Sequence, residues 1–296
     1  MNLEVMRDYE QKLREINREY SYHENKVPLF TKEAIYKHSN LTKELYKVNH
    51  KSEAFALRAD FSTAILDQVV NNDEQVPTRR AYYGEIFRMN RSDIWQIGIE
   101  YIGEKGIESE KEIIELIDEY LEVFPDEEYV LCINYMPFVD SVIKLLKLSD
   151  KKARQFKSNL AKHNYVSIKE ELRESLDDEK FEMVWQLFSE RDILVAIKLV
   201  KEIFASEEYD PLLVIFLESL SSKYTFDLGL VRNLNYYTGI VFEIYARNSP
   251  TPIITGGRYD KLASQFGKDL GAIGLAVDAT WLGGEKNVIN NSYTNR

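Results

Sequence analysis

The stretch RAYYGEIFRMNRSDIWQIGIEYIG, residues 80–103, contains two strand-like segments joined only by the three polar residues Asn90–Ser92. A link this short between two such segments predicts an antiparallel β-hairpin. Side chains alternate between the two faces of a strand, so the second segment has one apolar face, formed by Trp95, Ile97, Ile99 and Tyr101. The opposite, polar face is formed by Gln96, Gly98 and Glu100.

The polar face of this strand has two interpretations. Gly98 lies between Gln96 and Glu100, and a glycine inside a strand leaves room for another group to approach the sheet. A Gln and a Glu on one face are also typical of a solvent-exposed surface, and residue statistics alone favour that simpler interpretation. The choice between a surface and a binding site therefore depends on the rest of the chain.

Strand-like segments flank a helical middle. Alternating or apolar segments occur over residues 80–103 and again over 223–279, whereas residues 136–222 have helical periodicity and contain no glycine. This order predicts an α+β fold, with an antiparallel sheet flanked by helices and an inserted helical region. We expect a single domain over residues 1–282, with the helical insertion at about 136–222, and a polar C-terminal tail over residues 283–296.

Composition excludes several classes of protein. The 296-residue chain has a formal net charge of -11 and a pI near 5.1, which argues against a general nucleic-acid or membrane-surface binder, because both rely on Lys and Arg. No apolar run approaches the roughly 20 residues that a membrane helix needs, and the N-terminus does not resemble a signal peptide. We therefore expect a soluble, cytoplasmic protein.

The single cysteine and the four histidines give no sign of a metal centre. Cys132 lies in the apolar segment YVLCINY, which favours a core position on a buried strand over a role as nucleophile. One cysteine also excludes an intrachain disulfide and a thiolate-rich metal site. The histidines lack the spacing of metal ligands, so we predict neither a metal nor a cofactor.

Four segments carry a resemblance to a known family. In chain order they are LRADFSTAI, GEIFRM with DIWQIGIEYIG, LVRNLNYYTGIVFEIY and TGGRYDKL. Together they resemble the catalytic core of histidyl-tRNA synthetase, a class II aminoacyl-tRNA synthetase, over roughly residues 54–282. The last two segments are specific to the histidyl branch. The resemblance implies the class II fold, an antiparallel sheet flanked by helices, and it shifts the interpretation of the polar strand face towards a binding site.

The resemblance also implies a pocket for histidine, and nine residues stand at the matching positions. Asp60, Ser62 and Gln96 would bind the α-ammonium group, although Asp60 stands where the family usually has Glu and Ser62 where it has Thr. Arg88 and Arg232 would face the carboxylate. This set suits a zwitterionic ligand, because an Arg–carboxylate pair supplies orientation as well as energy. Asp60 and Ser62 are also candidate N-cap residues of a helix that is predicted to begin near Ser62.

The remaining residues of the implied pocket would surround the imidazole ring. Glu100 and Tyr237 would hold its two nitrogens, and Tyr236 and Tyr259 would form the wall. Gly256 and Gly257 would make either a flexible turn that closes over the ligand or an ordinary tight turn between a strand and a helix.

The chain departs from a synthetase in three places. The hairpin that follows Arg88 is short, whereas synthetases have a longer loop there that closes over ATP. Trp281 stands where the family has an arginine for the ATP γ-phosphate, and a neutral indole cannot supply that charge. No anticodon-binding domain follows residue 296 in this sequence. We therefore expect adenylation and tRNA charging to be lost.

A histidine pocket without the ATP and tRNA parts resembles the regulatory subunit of ATP phosphoribosyltransferase. That resemblance implies a non-catalytic chain needed for the first step of histidine biosynthesis and for feedback inhibition by L-histidine. It implies the short-form catalytic subunit as partner, in a hetero-octamer, and self-dimerisation, with no nucleic acid or membrane bound. Two alternatives stay open: a stand-alone histidine-binding sensor, and a pseudo-synthetase that activates an amino acid for a non-tRNA acceptor.

Overall fold

The computed structural model describes residues 2–37, 40–89, 91–124, 128–231, 237–247 and 249–284. In chain order, its strands are β1 His23–Glu24, β2 Phe30–Lys32, β3 Lys47–His50, β4 Glu53–Leu57, β5 Thr78–Arg88, β6 Arg91–Ile102, β7 Tyr129–Tyr135, β8 Thr225–Phe226, β9 Ile240–Ala246, β10 Ile254–Arg258 and β11 Ala272–Asp278. Its α-helices are α1 Leu3–Glu19, α2 Ser62–Asn71, α3 Glu108–Val123, α4 Met136–Leu145, α5 Asp150–Ala161, α6 Tyr165–Ser175, α7 Asp178–Ser189, α8 Ile193–Ile203, α9 Pro211–Ser219, α10 Asp260–Gln265 and α11 Ala279–Leu282.

Within the described ranges, eight strands form one sheet in the order β1-β5-β6-β11-β10-β9-β7-β8, and three form a small sheet in the order β2-β4-β3. The five central pairings of the large sheet are antiparallel, which confirms the predicted fold class. The two outer pairings, β1 with β5 and β7 with β8, are parallel, so the sheet is mixed at its edges. Each of these outer strands has only two residues, too few for a sequence period to show.

The predicted hairpin is β5–β6, and its link is shorter than expected. Arg88 pairs with Arg91, so two residues rather than three separate the strands. The apolar face of β6 is buried as predicted: Ile97, Ile99 and Tyr101 belong to the main core, against which α1 and α3 also pack. Trp95 is half-buried there, and its indole nitrogen donates a hydrogen bond to Glu10 Oε2 at 3.0 Å. The hairpin therefore separates an apolar side from the polar face of β6.

Six helices, α4–α9, run between β7 and β8 in the described part of the chain. The carboxylates of Asp177, Asp192 and Asp210 accept backbone N–H groups at the starts of α7, α8 and α9, which satisfies donors that a helix leaves without an internal partner. Among the residues described, no helix is long and apolar enough to cross a membrane.

Two local expectations are corrected. Gly256 and Gly257 do not form a turn, because both lie inside β10, paired with β9 and β11. A Cβ atom at either position would collide with a neighbouring strand, so the glycines permit close strand packing rather than hinge motion. Cys132 lies on β7 as predicted but is half-buried rather than fully enclosed.

Candidate functional site

Seven of the nine residues predicted for the site line one cleft on the polar face of the large sheet. They are Asp60, Ser62, Arg88, Gln96, Glu100, Tyr237 and Tyr259. The other two, Arg232 and Tyr236, lie outside the described residues. The empty space of the cleft, including its open mouth, is about 460 Å³, and β6, β10, β11 and the start of α2 supply most of its walls. The polar face of β6 is therefore not a solvent-exposed surface.

Glu100 is the most deeply buried carboxylate of the cleft, with 1% of its surface exposed. Ser62 Oγ donates a hydrogen bond to Glu100 Oε1 at 2.5 Å, and the Tyr259 hydroxyl donates to Oε2. The Tyr82 hydroxyl is directed instead to the Leu275 carbonyl, 3.5 Å away. Burial raises the pKa of Glu100 to about 8, while the hydroxyl groups of Ser62 and Tyr259 favour the ionised form and oppose the rise. Neutral pH is therefore close to the pKa of this carboxyl group.

Glycines make the room in which these side chains sit. Gly274 on β11 pairs with Glu100, and the Glu100 carboxylate fills the space above its Cα. Gly98 pairs with Tyr82 across the hairpin, and the Tyr82 hydroxyl occupies the space that a side chain at position 98 would need. The room that Gly98 was expected to leave for a ligand is thus taken by the protein's own tyrosine.

Asp60 combines a place in the cleft wall with a structural contact. Its Oδ1 accepts the backbone N–H of Thr63 at 2.7 Å, and its Oδ2 accepts the Thr63 hydroxyl at 3.0 Å. The N-cap residue of α2 is Phe61, so neither Asp60 nor Ser62 is the N-cap as predicted: Asp60 bonds to Thr63 from the preceding position, and Ser62 bonds to Glu100. Burial raises the pKa of Asp60, and the nearby Arg88 cation opposes that rise.

Arg88, Gln96 and Tyr237 complete the set. The Arg88 Nε donates to the Ala59 carbonyl at 2.9 Å, which ties the end of β5 to the segment before α2. Gln96 lies two residues from Gly98 on the cleft side of β6. The rings of Tyr237 and Tyr259 meet edge to face, with centroids 6.5 Å apart. The cleft thus has a guanidinium, two carboxyl groups and an amide within one polar volume.

The sequence analysis did not identify two features of the site: Tyr82, and the buried ion pair of Arg258, the residue before Tyr259. Tyr82 lines the cleft, and only the cross-strand register that places it opposite Gly98 could have indicated its role. Arg258 lies directly before Tyr259 and is buried, with its Nε 2.5 Å from Glu110 Oε1 and its Nη2 2.6 Å from the Ser109 hydroxyl. This ion pair attaches the end of β10 to α3.

Trp281 lies on α11 and packs against the core rather than contributing to the cleft wall. Its ring is 5.9 Å from that of Phe124, at an angle of 59°.

No group of three or more His, Cys, Asp or Glu side chains suited to a metal ion occurs among the residues that the structure describes.

Comparison with known proteins gives the same picture of the fold. A solved structure from Bacillus halodurans, described as an ATP phosphoribosyltransferase regulatory subunit/histidyl-tRNA synthetase, matches with a TM-score of 0.83 and 22% identity, covering 95% of this chain and 79% of that one. Histidyl-tRNA synthetase from Nostoc sp. matches with a TM-score of 0.79 and 18% identity, covering 95% and 71%. These similarities show a histidyl-tRNA synthetase-like fold.

Sequence relatives have both names that the motifs suggested. An ATP phosphoribosyltransferase regulatory subunit from Caldanaerobacter subterraneus subsp. tengcongensis is 29% identical, over 93% of this chain and 76% of its own length. A histidine–tRNA ligase from Methanocaldococcus jannaschii is 30% identical, over 90% of this chain and 68% of its own. The resemblance to the regulatory subunits is thereby confirmed. The sequence model described as histidyl-tRNA synthetase matches residues 1–282, and the chain belongs to that family.

Proposed function

We propose that the chain is a non-catalytic regulatory subunit of ATP phosphoribosyltransferase, which binds L-histidine in the cleft and confers feedback inhibition on the first step of histidine biosynthesis. The observation that carries the proposal is the buried Glu100, held by hydroxyl groups inside a cleft that brings together seven residues from distant parts of the chain. The regulatory subunits among the sequence relatives support the assignment.

The proposed binding mode follows from the charges of the cleft. The imidazole N–H of histidine donates to Glu100, and Tyr237 faces the other ring nitrogen. The ligand carboxylate meets the Arg88 guanidinium, while Asp60 and Gln96 accept the α-ammonium group. Each of these side chains lines the cleft. A charged ligand group bound without such partners would lose its hydration with no compensation, so the full set is needed for affinity.

Regulation requires a partner and two arrangements of the assembly. We assign the partner as the short-form catalytic subunit of ATP phosphoribosyltransferase, in a hetero-octamer. Histidine shifts the assembly towards the inhibited arrangement by its difference in affinity for the two arrangements. Coupling of this kind is typically about 1–3 kcal/mol.

Self-dimerisation also belongs to the proposal. Phe30 and Val48 flank β4 on the same face of the small sheet, and they are 49% and 44% exposed. Large apolar side chains exposed on one face of a sheet favour burial against another surface. A Val48→Lys substitution should shift the chain towards monomer in analytical ultracentrifugation, whereas Val166→Lys, at a 70% exposed position on α6, should not.

Calorimetric titration with L-histidine tests the binding site. The wild-type chain should bind, and Glu100→Gln should weaken binding by about tenfold or more, because an amide cannot ionise to become the charged acceptor of the ligand N–H as the carboxyl group can. Glu128→Gln is the matched control, since Glu128 is exposed and pairs only with Arg247 among its described contacts. Equal affinities for the wild type and Glu100→Gln would contradict the assigned role of Glu100, and absence of binding to the wild type would refute the histidine site.

Two further assays separate the rival functions. Co-purification with a short ATP phosphoribosyltransferase catalytic chain, and inhibition of the complex by histidine, would support the regulatory subunit. Histidine binding without that partner would instead indicate a stand-alone sensor. Histidine-dependent exchange of pyrophosphate into ATP would indicate a pseudo-synthetase, which Trp281 packed on Phe124 argues against.

A further inference from the structure

Arg258 and Tyr259 are consecutive residues at the end of β10, and their side chains point in opposite directions. Tyr259 lines the cleft and donates its hydroxyl proton to Glu100. Arg258 lies outside the cleft wall and is buried, with 6% of its surface exposed, and it reaches the first turn of α3, where it pairs with Glu110. A residue of the cleft therefore directly follows a buried cation that lies outside it.

The Arg258 guanidinium joins three segments of the chain. Its Nε and Nη2 donate to the two carboxylate oxygens of Glu110 at 2.5 and 2.6 Å, and Nη2 also lies 2.6 Å from the Ser109 hydroxyl. Its Nη1 donates to Asp260 Oδ1 at 3.2 Å, at the start of α10, and to the Glu104 carbonyl at 3.1 Å. A planar guanidinium holds such partners in fixed directions, which a flexible ammonium group does not. The end of β10 is therefore fixed to α3, to α10 and to the loop after β6.

Asp260 bonds to two further segments. Its Oδ1 also accepts the backbone N–H of Ala272 at 2.8 Å, at the start of β11. Its own backbone N–H donates to Thr238 Oγ1 at 3.2 Å, and the Thr238 N–H donates to the Arg258 carbonyl at 2.8 Å. Thr238 is thus bonded to both members of the Arg258–Asp260 ion pair. Tyr237, the residue before it, is attached to the pair through Thr238.

Two glycines allow the segment before β9 and the end of β10 to pack directly on each other. A Cβ at Gly239 would lie 2.9 Å from Arg258 Cδ, so the arginine side chain occupies this space. A Cβ at Gly257 would lie 3.1 Å from Tyr237 Cε1, in a backbone with φ of +146° that favours glycine. A shift of either segment would therefore displace the other.

We propose that Arg258 and Asp260 are positioning residues of the cleft, whose ion pair holds Tyr237 and Tyr259 in the arrangement that receives the ligand ring. Arg258 and Asp260 flank Tyr259 directly, and both bond to Thr238, beside Tyr237. The two tyrosine rings meet edge to face, a geometry that depends on the separation and angle of the segments to which they belong. The inference rests on the proposed histidine site, and it identifies what fixes the two tyrosines of that site.

Asp260 is the member of the pair that can be replaced. Loss of Arg258 would leave the Glu110 carboxylate buried without its partner, a change that we expect to prevent stable folding. Asp260→Ala removes both hydrogen bonds of Oδ1 and leaves the Arg258–Glu110 pair in place, and the Asp260 side chain is 32% exposed. Thr238→Val removes the other contact, the Oγ1 acceptor, with little change in the shape of the side chain.

Glu112→Ala is the matched control. Glu112 also pairs with an arginine, Arg79, at 2.7 Å, and it lies on α3 two residues after Glu110, but neither residue of this second pair lines the cleft. Both alanine variants lose the carboxylate of an ion pair, so both should have a lower urea midpoint than the wild type. Only a role in positioning predicts a difference between them at the tyrosine rings.

The test is NMR of the ligand-free chain with isotope-labelled tyrosine rings, in which Tyr237→Phe and Tyr259→Phe assign the signals. Each variant is judged on the tyrosine that it does not adjoin. Asp260→Ala should shift the ring signals of Tyr237. Thr238→Val should shift those of Tyr259, and Glu112→Ala should leave both unchanged. Absence of either expected shift, or equal shifts in Glu112→Ala, would overturn the proposal.

Histidine calorimetry on the same variants gives the second readout. Asp260→Ala should weaken histidine binding by about fivefold or more, the equivalent of one lost hydrogen bond, and Glu112→Ala should leave it unchanged. Equal affinities of the wild type and Asp260→Ala would overturn the proposal. Failure of the wild type to bind histidine would refute the proposed function, whereas the ring signals of the ligand-free chain would still decide whether the ion pair positions the two tyrosines.

Discussion

The Glu100 carboxylate occupies the space that a side chain at position 274 would fill, because Glu100 and Gly274 are directly paired between β6 and β11. The position of the Glu100 carboxylate therefore requires that residue 274 has no Cβ. Gly274 also lines the cleft, so this one residue affects both the depth of the cleft and the position of Glu100.

A Gly274→Ala substitution should displace the Glu100 carboxylate and strain the backbone, because the new methyl group would also press on the Ile99 carbonyl. We expect unfolding free energy to fall by about 1–3 kcal/mol and histidine affinity to fall by about tenfold or more. Urea denaturation and calorimetry measure the two effects. Gly284→Ala is the control, since the nearest atom to its Cβ would be 3.2 Å away. Unchanged histidine affinity in Gly274→Ala would contradict the placement of Glu100.

The buried Glu100 should make the ligand-free chain less stable as pH rises. Its pKa in the folded chain is about 8, against an ordinary value of 4.5, so between these values the folded chain holds a proton that the unfolded chain has released. Stability from this group is present below about pH 4.5 and declines towards pH 8, by at most about 1.4 kcal/mol per pH unit. Burial raises the pKa of Asp60 in the same direction.

Urea denaturation from about pH 5.5 to pH 8.5 measures this dependence. Glu100→Gln should have a shallower decline than the wild type, because the amide does not titrate in this range. Parallel curves for the two proteins would show that Glu100 titrates near its ordinary pKa.

The Arg258–Glu110 ion pair should matter far more than a surface pair of the same kind. Its two side chains are 7% and 5% exposed, whereas those of Arg247 and Glu128 are 67% and 78% exposed at a similar 2.6 Å separation. Glu110→Gln leaves the buried Arg258 charge with Asp260, 3.2 Å away, as its remaining carboxylate partner, and should cost about 3 kcal/mol of unfolding free energy. Glu128→Gln should cost less than about 1 kcal/mol. Similar losses in urea denaturation would refute this ranking.

Cys132 should react slowly with alkylating reagents in the folded chain. Burial raises the pKa of its thiol to about 11, and the nearby Asp227 and Glu243 carboxylates add to the rise. Only the thiolate reacts, so alkylation by iodoacetamide at about pH 7.5 should be roughly a hundredfold slower than in the urea-unfolded chain. Mass spectrometry follows the modification, and equal rates in the two states would contradict a protected thiol.

The sequence predicted the residues that line the cleft better than it predicted the strand pairing around them. Alternation along β6 correctly separated the buried face of Ile97 and Ile99 from the face that carries Gln96 and Glu100. Matching to the family motifs then identified seven residues that the fold brings together from segments more than a hundred residues apart. Their roles in binding histidine stay predictions.

What the sequence did not predict depends on pairing between distant strands. Gly256 and Gly257 carry the same local signal in a turn and in a crowded strand, and only their neighbours on β9 and β11 distinguish the two. Tyr82 was missed because its role follows from its register opposite Gly98 and from the stack on Phe61. Register of this kind is a tertiary property that residue spacing along one strand does not contain.

The position of β11 has a consequence for synthesis of the protein on the ribosome. β11 lies between β6 and β10 at the centre of the sheet, although it follows the other seven strands of that sheet along the chain. Until residue 278 has emerged from the ribosome, the edges of β6 and β10 that β11 will join are unpaired. Gly274, the partner of Glu100 on β11, is then not yet in place. Pairing at such a sequence separation is slow, and open edges attract other chains. We therefore expect incomplete chains to depend on chaperones, and the ligand to find its site only in the finished sheet.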